Sequence, residues 1–271
     1  MTEVLRDTST QAIVAAMEAN FIEEMATFGR YFPGATLYED QELLWFTTGL
    51  PHGMFNAVLH THLTPEKVDA KIDEILSYFQ AHHLPVSWII RPSAQPANLG
   101  TYLEAHGFTH ILDKSGMAAD LWALNEDIPA PPDLRIEEIR NEEMLKQLLI
   151  IESQGFGSPE AVSKVYYDTY VNIGLSKDLP WQHYLGLLND KPVAISSLLL
   201  HAGVAGIYGV ATIPAARRQG IGAAMTLAPL REARRRGYRI GILSPSEIGR
   251  GVYERIGFWE CYKQSIYEWE P

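Results

Sequence analysis

The chain has 271 residues, a single cysteine and a formal net charge of -11. It is 46% apolar and 20% charged, a globular composition with material for one large core or two ordinary ones. Its lone Cys261 excludes an intrachain disulfide and a thiolate metal cluster, and no apolar run approaches the ~18 residues of a membrane span.

The opening MTEVLRDTSTQ has no apolar stretch of the signal-peptide kind, so a cytoplasmic location is expected. A helix is predicted over Thr10–Thr27, then paired strands over 42–49 and 55–63. Pro65–His82 has helical spacing, 86–91 reads as a strand, Asn98–His106 as a helix and Met117–Trp122 as a final strand. The segment Asn125–Leu134 carries three prolines and cannot continue a helix or a central strand. It divides the chain into expected domains 1–128 and 133–271.

Beyond it, 134–139 reads as a strand and Asn141–Ser153 as a helix with Met144, Leu148 and Ile151 on one face. A second helix starts near Pro159 and runs through Tyr170. Two apolar strands, 182–188 and 192–200, flank Asn189-Asp190-Lys191 as a hairpin. A third strand covers 204–212, and Gly220–Arg236 is a helix. A short strand (238–244), a short helix (Gly251–Ile256) and a last strand (263–269) complete the chain.

Charge is uneven. Up to Pro132 there are 6 Lys and Arg against 17 Asp and Glu; from Asp133 onward the count is 16 against 16. The acidic balance argues against nucleic acid as a partner. Against it, Arg217, Arg218, Arg231, Arg234, Arg235, Arg236 and Arg239 fall within 23 residues. The last five fit a solvated helix end, where cations complement the macrodipole.

The first two belong to the stretch VATIPAARRQGIGAAM, in which RRQGIG precedes a helix. Amides at a helix start lack intrahelical partners, and glycine lets a phosphate approach the backbone. The segment is therefore a candidate phosphate cradle; a merely tight turn is the alternative. A P-loop is excluded because no Lys follows the glycines. A Rossmann fingerprint is disfavoured by Met225 at the third small position and by the lack of an acid near Arg239.

R-x-x-G-x-G after a strand ending V-x-x-x-P, followed about 30 residues later by VYERIGF, resembles the GNAT superfamily of acyl-CoA-dependent N-acyltransferases. The resemblance covers the second half. It implies an α/β (α+β) fold with a mixed central sheet flanked by helices, whose splayed strands form the acyl-CoA cleft. YLEAHGF (102–108) parallels VYERIGF (252–258), so the first half resembles a degenerate second copy: a tandem arrangement. That copy lacks the arginine–glycine segment and has Leu103 at the place of Tyr253.

The resemblance implies that pantetheine pairs near Val210 and Thr212, and that the pyrophosphate rests on Arg217, Arg218, Gln219, Gly220, Ile221, Gly222 and Ala223. Tyr253 is expected to protonate the departing thiolate; the alternative is a core aromatic. Glu247 is a candidate base or a solvated loop acid. Ser246 stands where the superfamily often has an Asn contacting pantetheine. His183 and His201 flank the hairpin and suit structural roles, and His60 and His62 alternate on one strand with no third metal ligand apparent. The expected function is transfer of an acetyl group from acetyl-CoA to a small-molecule amine, with no metal, membrane or nucleic-acid partner and with a homodimer left open. A non-catalytic acyl-CoA sensor or interaction module is the rival.

Overall fold

A computed structural model describes residues 4–271, which pack as two compact units. Of the described residues, one unit comprises 22–115 and 262–271 and the other 4–21 and 116–261.

The first-half unit takes the latter part of α1 (Thr10–Tyr31), then β1 (Thr36–Glu39), β2 (Leu43–Thr47), β3 (Asn56–Thr61), α2 (Pro65–Ala81), β4 (Val86–Ile90) and α3 (Leu99–Ala105). It also takes the start of β5 (Thr109–Asp120) and the end of β11 (Trp259–Trp269). β1, β2 and β3 are antiparallel, β3 and β4 parallel, and β11 lies antiparallel to β4 with Ser265 opposite Ile90. The chain's last strand thus completes the sheet of the first-half unit. Apolar residues at helical spacing on α2 (Val68, Ile72, Ile75, Phe79) bury against Val58, Val86 and Trp88 of the sheet.

The second-half unit contains β6 (Leu134–Glu138), α4 (Glu142–Phe156), α5 (Glu160–Ile173), β7 (Trp181–Leu188), β8 (Lys191–His201) and β9 (Val204–Thr212). It continues with α6 (Ile221–Arg235), β10 (Ile240–Leu243) and α7 (Arg250–Ile256). Strands β6 to β9 form an antiparallel meander; β10 pairs parallel with β9 and antiparallel with the end of β5, Met117–Asp120. Asn189 and Asp190 both take positive φ in the β7–β8 turn, as a tight hairpin of right-handed twist requires.

α6 packs its apolar face, Met225, Leu230 and Ala233 among others, on one side of this sheet, and α4 and α5 cover the other. Pro229 lies inside α6 and cannot donate to the carbonyl of Met225 one turn earlier. Ser196 on β8 supplies the missing donor: its hydroxyl reaches the Met225 carbonyl at 2.8 Å. Ser196→Ala leaves that buried carbonyl unsatisfied, and we expect a loss of about 1–3 kcal/mol in urea unfolding. Replacing Pro229 by Ala in the same background should recover part of the loss, because the helix then supplies its own donor.

Candidate active site

The candidate site begins where two strands part. β9 pairs with β10 only through Ala205–Gly241 and Gly206–Ile242. From Ile207 to Thr212 that side of β9 has no strand partner among the described residues. On its other side the register with β8 skips Gly209 and Val210, and Gly209 has φ +57°. This bulge bends the strand beside the splay. Its signal in the sequence is an isolated glycine inside an apolar strand run, which sequence reasoning missed. Val210 and Thr212 are half-buried at this edge.

After β9 a short 3-10 turn (Pro214–Ala216) leads into the RRQGIG segment. Arg217 is fixed by the backbone around it. Its Nε donates to the Thr212 carbonyl at 3.1 Å and its Nη2 to the Gly155 carbonyl at 2.5 Å, tying the end of α4 to the end of β9. Arg218 is exposed at φ +60°, and Gln219 is exposed beside it. Gly220 precedes α6 at φ +80°, and among the described residues no side chain caps the helix. The amides of Ile221, Gly222 and Ala223 are therefore the first-turn donors without intrahelical partners. The side chains of Ile221 and Ala223 are buried, which anchors the turn. At Gly222 an added Cβ would meet nothing within 4 Å. The turn is open there, and the helix dipole adds positive potential.

Tyr253 sits on α7, half-buried, with its ring edge-on to Phe258 at 6.0 Å. Burial pushes its phenol up to about 12, partly offset by a hydrogen bond with the Thr226 hydroxyl. Thr226 Oγ1 also lies 2.9 Å from the Gly222 carbonyl, so its single proton serves either that carbonyl or the phenol oxygen. One buried hydroxyl thus links the phenol to the open turn. Thr226 had no signal in the sequence beyond its place on the buried face of α6.

The loop between β10 and α7 holds Ser246 and Glu247, both exposed. Ser246 organises the entry to α7: its Oγ accepts from the Gly249 amide at 3.2 Å and its carbonyl from the Arg250 amide at 3.0 Å. Glu247 has no ion pair among the described residues.

The histidines fall elsewhere. His183 is buried on β7 with Nδ1 at 2.8 Å from the Ser197 hydroxyl and its ring 4.0 Å from that of Tyr170. Burial pushes its pKa down to about 3. His201 is half-buried at the β8–β9 turn, where its carbonyl accepts from Asn20 at 2.9 Å. The rings of His60 and His62 lie 6.5 Å apart and nearly parallel. Among the described residues no group of three or more His, Cys, Asp or Glu could hold a metal ion. No helix there is long and apolar enough to cross a membrane.

The buried His183 makes a pH prediction. The unfolded chain binds a proton at this histidine below about pH 6.5, whereas the folded one stays neutral until about pH 3. Acidification through that window therefore favours unfolding, by up to about 1.4 kcal/mol per pH unit from this group. Urea midpoints compared with those of His183→Asn should show this slope in the parent alone.

The first-half unit repeats the strand geometry but bridges the gap with hydrogen bonds. β3 and β4 pair only through Ala57–Ser87 and Val58–Trp88. Past that point Arg91 donates to the Leu59 carbonyl at 2.7 Å and the Trp88 indole to the Thr61 hydroxyl at 2.9 Å. The Gln95 backbone then bridges Thr61 and Leu63. α2 starts with Pro65, which has no amide hydrogen, and carries Glu66 in its first turn. The Thr64 hydroxyl and the backbone amide of Glu66 itself hold the Glu66 carboxyl below the usual range.

These two units, each with a parallel strand pair that parts beside a helix start, have the GNAT fold in tandem. Residues 200–261 match the family described as acetyltransferase (GNAT) domain. The chain is similar in structure to a GCN5-related N-acetyltransferase from Kribbella flavida, at 18% identity and a TM-score of 0.71, covering 98% of this chain and 97% of that one. It is also similar to a tandem GNAT protein from the clavulanic acid biosynthesis pathway, at 15% identity and 0.65, covering 99% and 96%. A GCN5-related N-acetyltransferase from Sphaerobacter thermophilus gives 18% and 0.64, covering 96% and 91%. No curated protein matches.

Proposed function

We propose that the chain transfers an acetyl group from acetyl-CoA to a small-molecule amine, and that the chemistry belongs to the domain of residues 133–271. The observation that carries this reading is the open, uncapped turn at Gly222, joined through Thr226 to a protonated phenol, in a unit whose β9 and β10 part after Gly206. The first-half domain, 1–128 in sequence, has its gap bridged and an acid at its helix start, which speaks against a second acetyl-CoA there.

In this reading the pyrophosphate lies on the amides from Arg218 to Ala223, with Arg218 adding charge and Arg217 keeping the turn attached to β9. Pantetheine runs along Val210 and Thr212. The amine must be neutral to attack, since a Lys-like ammonium has a pKa of ~10.4. Glu247, an exposed carboxylate on the loop after β10, takes its proton directly or through water. Nitrogen adds to the thioester carbon and releases its excess proton to water, and backbone amides at the β9 bulge stabilise the oxyanion. Collapse breaks the C–S bond, and the Tyr253 phenol meets the sulfur as it gains charge.

Thiol release from acetyl-CoA across a panel of small primary amines, with the acetylated amine detected by mass, tests the proposal. Acetyl-CoA binding without thiol release for any amine would favour the non-catalytic sensor.

A further inference from the structure

The proline-rich segment that follows β5 does more than join two sequence halves. Asn125 begins it on α7, the helix that carries Tyr253. Its amide donates to the Ile256 carbonyl at 2.9 Å and its side-chain Nδ2 to the Arg255 carbonyl at 3.1 Å. These are last-turn carbonyls, which have no partner within the helix. Glu126 then pairs with two arginines on α6: Arg231 Nε at 2.6 Å and Arg234 Nη1 at 2.7 Å. Burial works against the Glu126 carboxylate, but the two guanidiniums outweigh it and hold its pKa below the usual range. Leu124 and Ile128 pack against the core under α6.

Pro129 ends the run at the candidate phosphate turn. A Cβ built on Gly220 would lie 1.9 Å from the Pro129 carbonyl oxygen and 3.0 Å from its carbon. Gly220 thus answers two demands at once: φ +80° and a backbone pressed against it. The contrast with Gly222, where an added Cβ would meet no side chain or other segment within 4 Å, is direct. One glycine is filled by the protein's own chain, and the other is left open.

We infer that the segment Asn125–Pro129 is a strap that positions the acyl-CoA turn against the helix carrying the phenol, and that Glu126 and Pro129 are positioning residues for acetyl-CoA binding. This rests on the reading of that turn as the phosphate site. Pro129 fixes its own φ and restricts Ile128 before it, the Glu126 ion pairs fix where the segment lies along α6, and the Pro129 carbonyl blocks Gly220 from swinging out. Loosening the strap leaves the amides at Ile221–Ala223 in place but lets the turn before them wander.

The test uses the full chain. Glu126→Gln and Pro129→Gly should each raise the calorimetric Kd for acetyl-CoA about fivefold, in the range by which contacts remote from a ligand modulate binding. Gly220→Ala, which forces the Pro129 carbonyl away, should raise it at least about tenfold. Ala224 reports the turn without any ligand, because its amide donates to the Gly220 carbonyl at 3.1 Å. In the strap variants that amide should exchange at least about threefold faster, while amides in the middle of α6 stay protected. Swapping the charges, Glu126→Arg with Arg231→Glu and Arg234→Glu, should restore both readouts toward the parent values. Parent-like Kd and Ala224 exchange in Glu126→Gln and Pro129→Gly overturn the inference, provided Gly222→Glu weakens binding. If Gly222→Glu also leaves Kd unchanged, the phosphate reading itself has failed, and the strap's role in binding falls with it.

Discussion

Gly222→Glu is expected to weaken acetyl-CoA binding at least tenfold, about 1.4 kcal/mol, without weakening the fold. The two halves of that expectation come from different facts. A side chain fits: an added Cβ has open space, and the backbone there is not in the left-handed region. Glycine is also the poorest ordinary helix former, by up to about 1 kcal/mol against Ala, so a glutamate gains helix propensity. A carboxylate in the first turn gains roughly a further 0.3–1 kcal/mol from the dipole. The melting temperature should therefore hold or rise. The same carboxylate occupies the space and the positive potential that a pyrophosphate would use, so ligand and side chain compete for the same unpaired amides. Loss of binding with a raised melting temperature is a pattern that general damage cannot produce. Calorimetric titration beside a thermal melt measures both, and an unchanged Kd would put the pyrophosphate elsewhere.

Gly220 makes the opposite case, and the sequence could not separate the two glycines. Both stood in one motif, and a turn before a helix justified either. What distinguishes them is Pro129, 91 positions away, whose carbonyl presses on Gly220 alone. Such a contact has no local signature. The arginines show the same limit. Arg217 was expected to add charge for the phosphate, yet two backbone carbonyls hold its guanidinium. Arg231 and Arg234, read as a solvated helix end, anchor Glu126 of the strap. Ser246 was placed at a pantetheine contact, and its hydrogen bonds go to the turn that starts α7.

Elements with strong periodicity were legible: α2, α4, α6 and the β7–β8 hairpin fall where the apolar spacing and turn residues put them. β1, four residues with three exposed, has no alternation to detect and was missed. β5 was recognised only over its buried end; its first six residues are all exposed. The destination of the last strand was hidden for another reason. KQSIYEW alternates well enough to be a strand, but alternation identifies a face and not a neighbour. Its pairing with β4 depends on which edge is vacant, a property of the packed first-half unit. The helix through Pro229 could be drawn from its spacing, but the hydroxyl that makes it tolerable sits on a strand 33 positions earlier.

Tyr253→Phe should lower the single-turnover rate of acetyl transfer about 10²-fold and leave the Kd for acetyl-CoA nearly unchanged. The size follows from the chemistry of the phenol in its site. With a pKa near 12 it is fully protonated at neutral pH, so the donor is always present. A thiolate has a pKa of only ~8.5, so complete proton transfer from this phenol to a free thiolate is uphill by more than three pH units. The phenol therefore acts chiefly by hydrogen-bonding the sulfur as the C–S bond breaks. A hydrogen bond to a charged group contributes roughly 1.5–3 kcal/mol, about 10- to 150-fold in rate. Because that charge exists only late in the reaction, the ground-state complex loses little, and kcat and kcat/KM should fall together. The high pKa also fixes the pH profile: deprotonation of Tyr253 should impose no alkaline fall in rate below about pH 11. Deprotonation of the amine and its base then governs the limb on the acid side, and the Tyr253→Phe variant should keep that limb at a lower plateau. The ring remains against Phe258, and the bond to Thr226 is lost at a cost of about 1 kcal/mol. A core aromatic with no part in the chemistry predicts the reverse, the same small loss of stability with the parent's single-turnover rate. That result would take Tyr253 out of the mechanism and leave the thiolate to solvent.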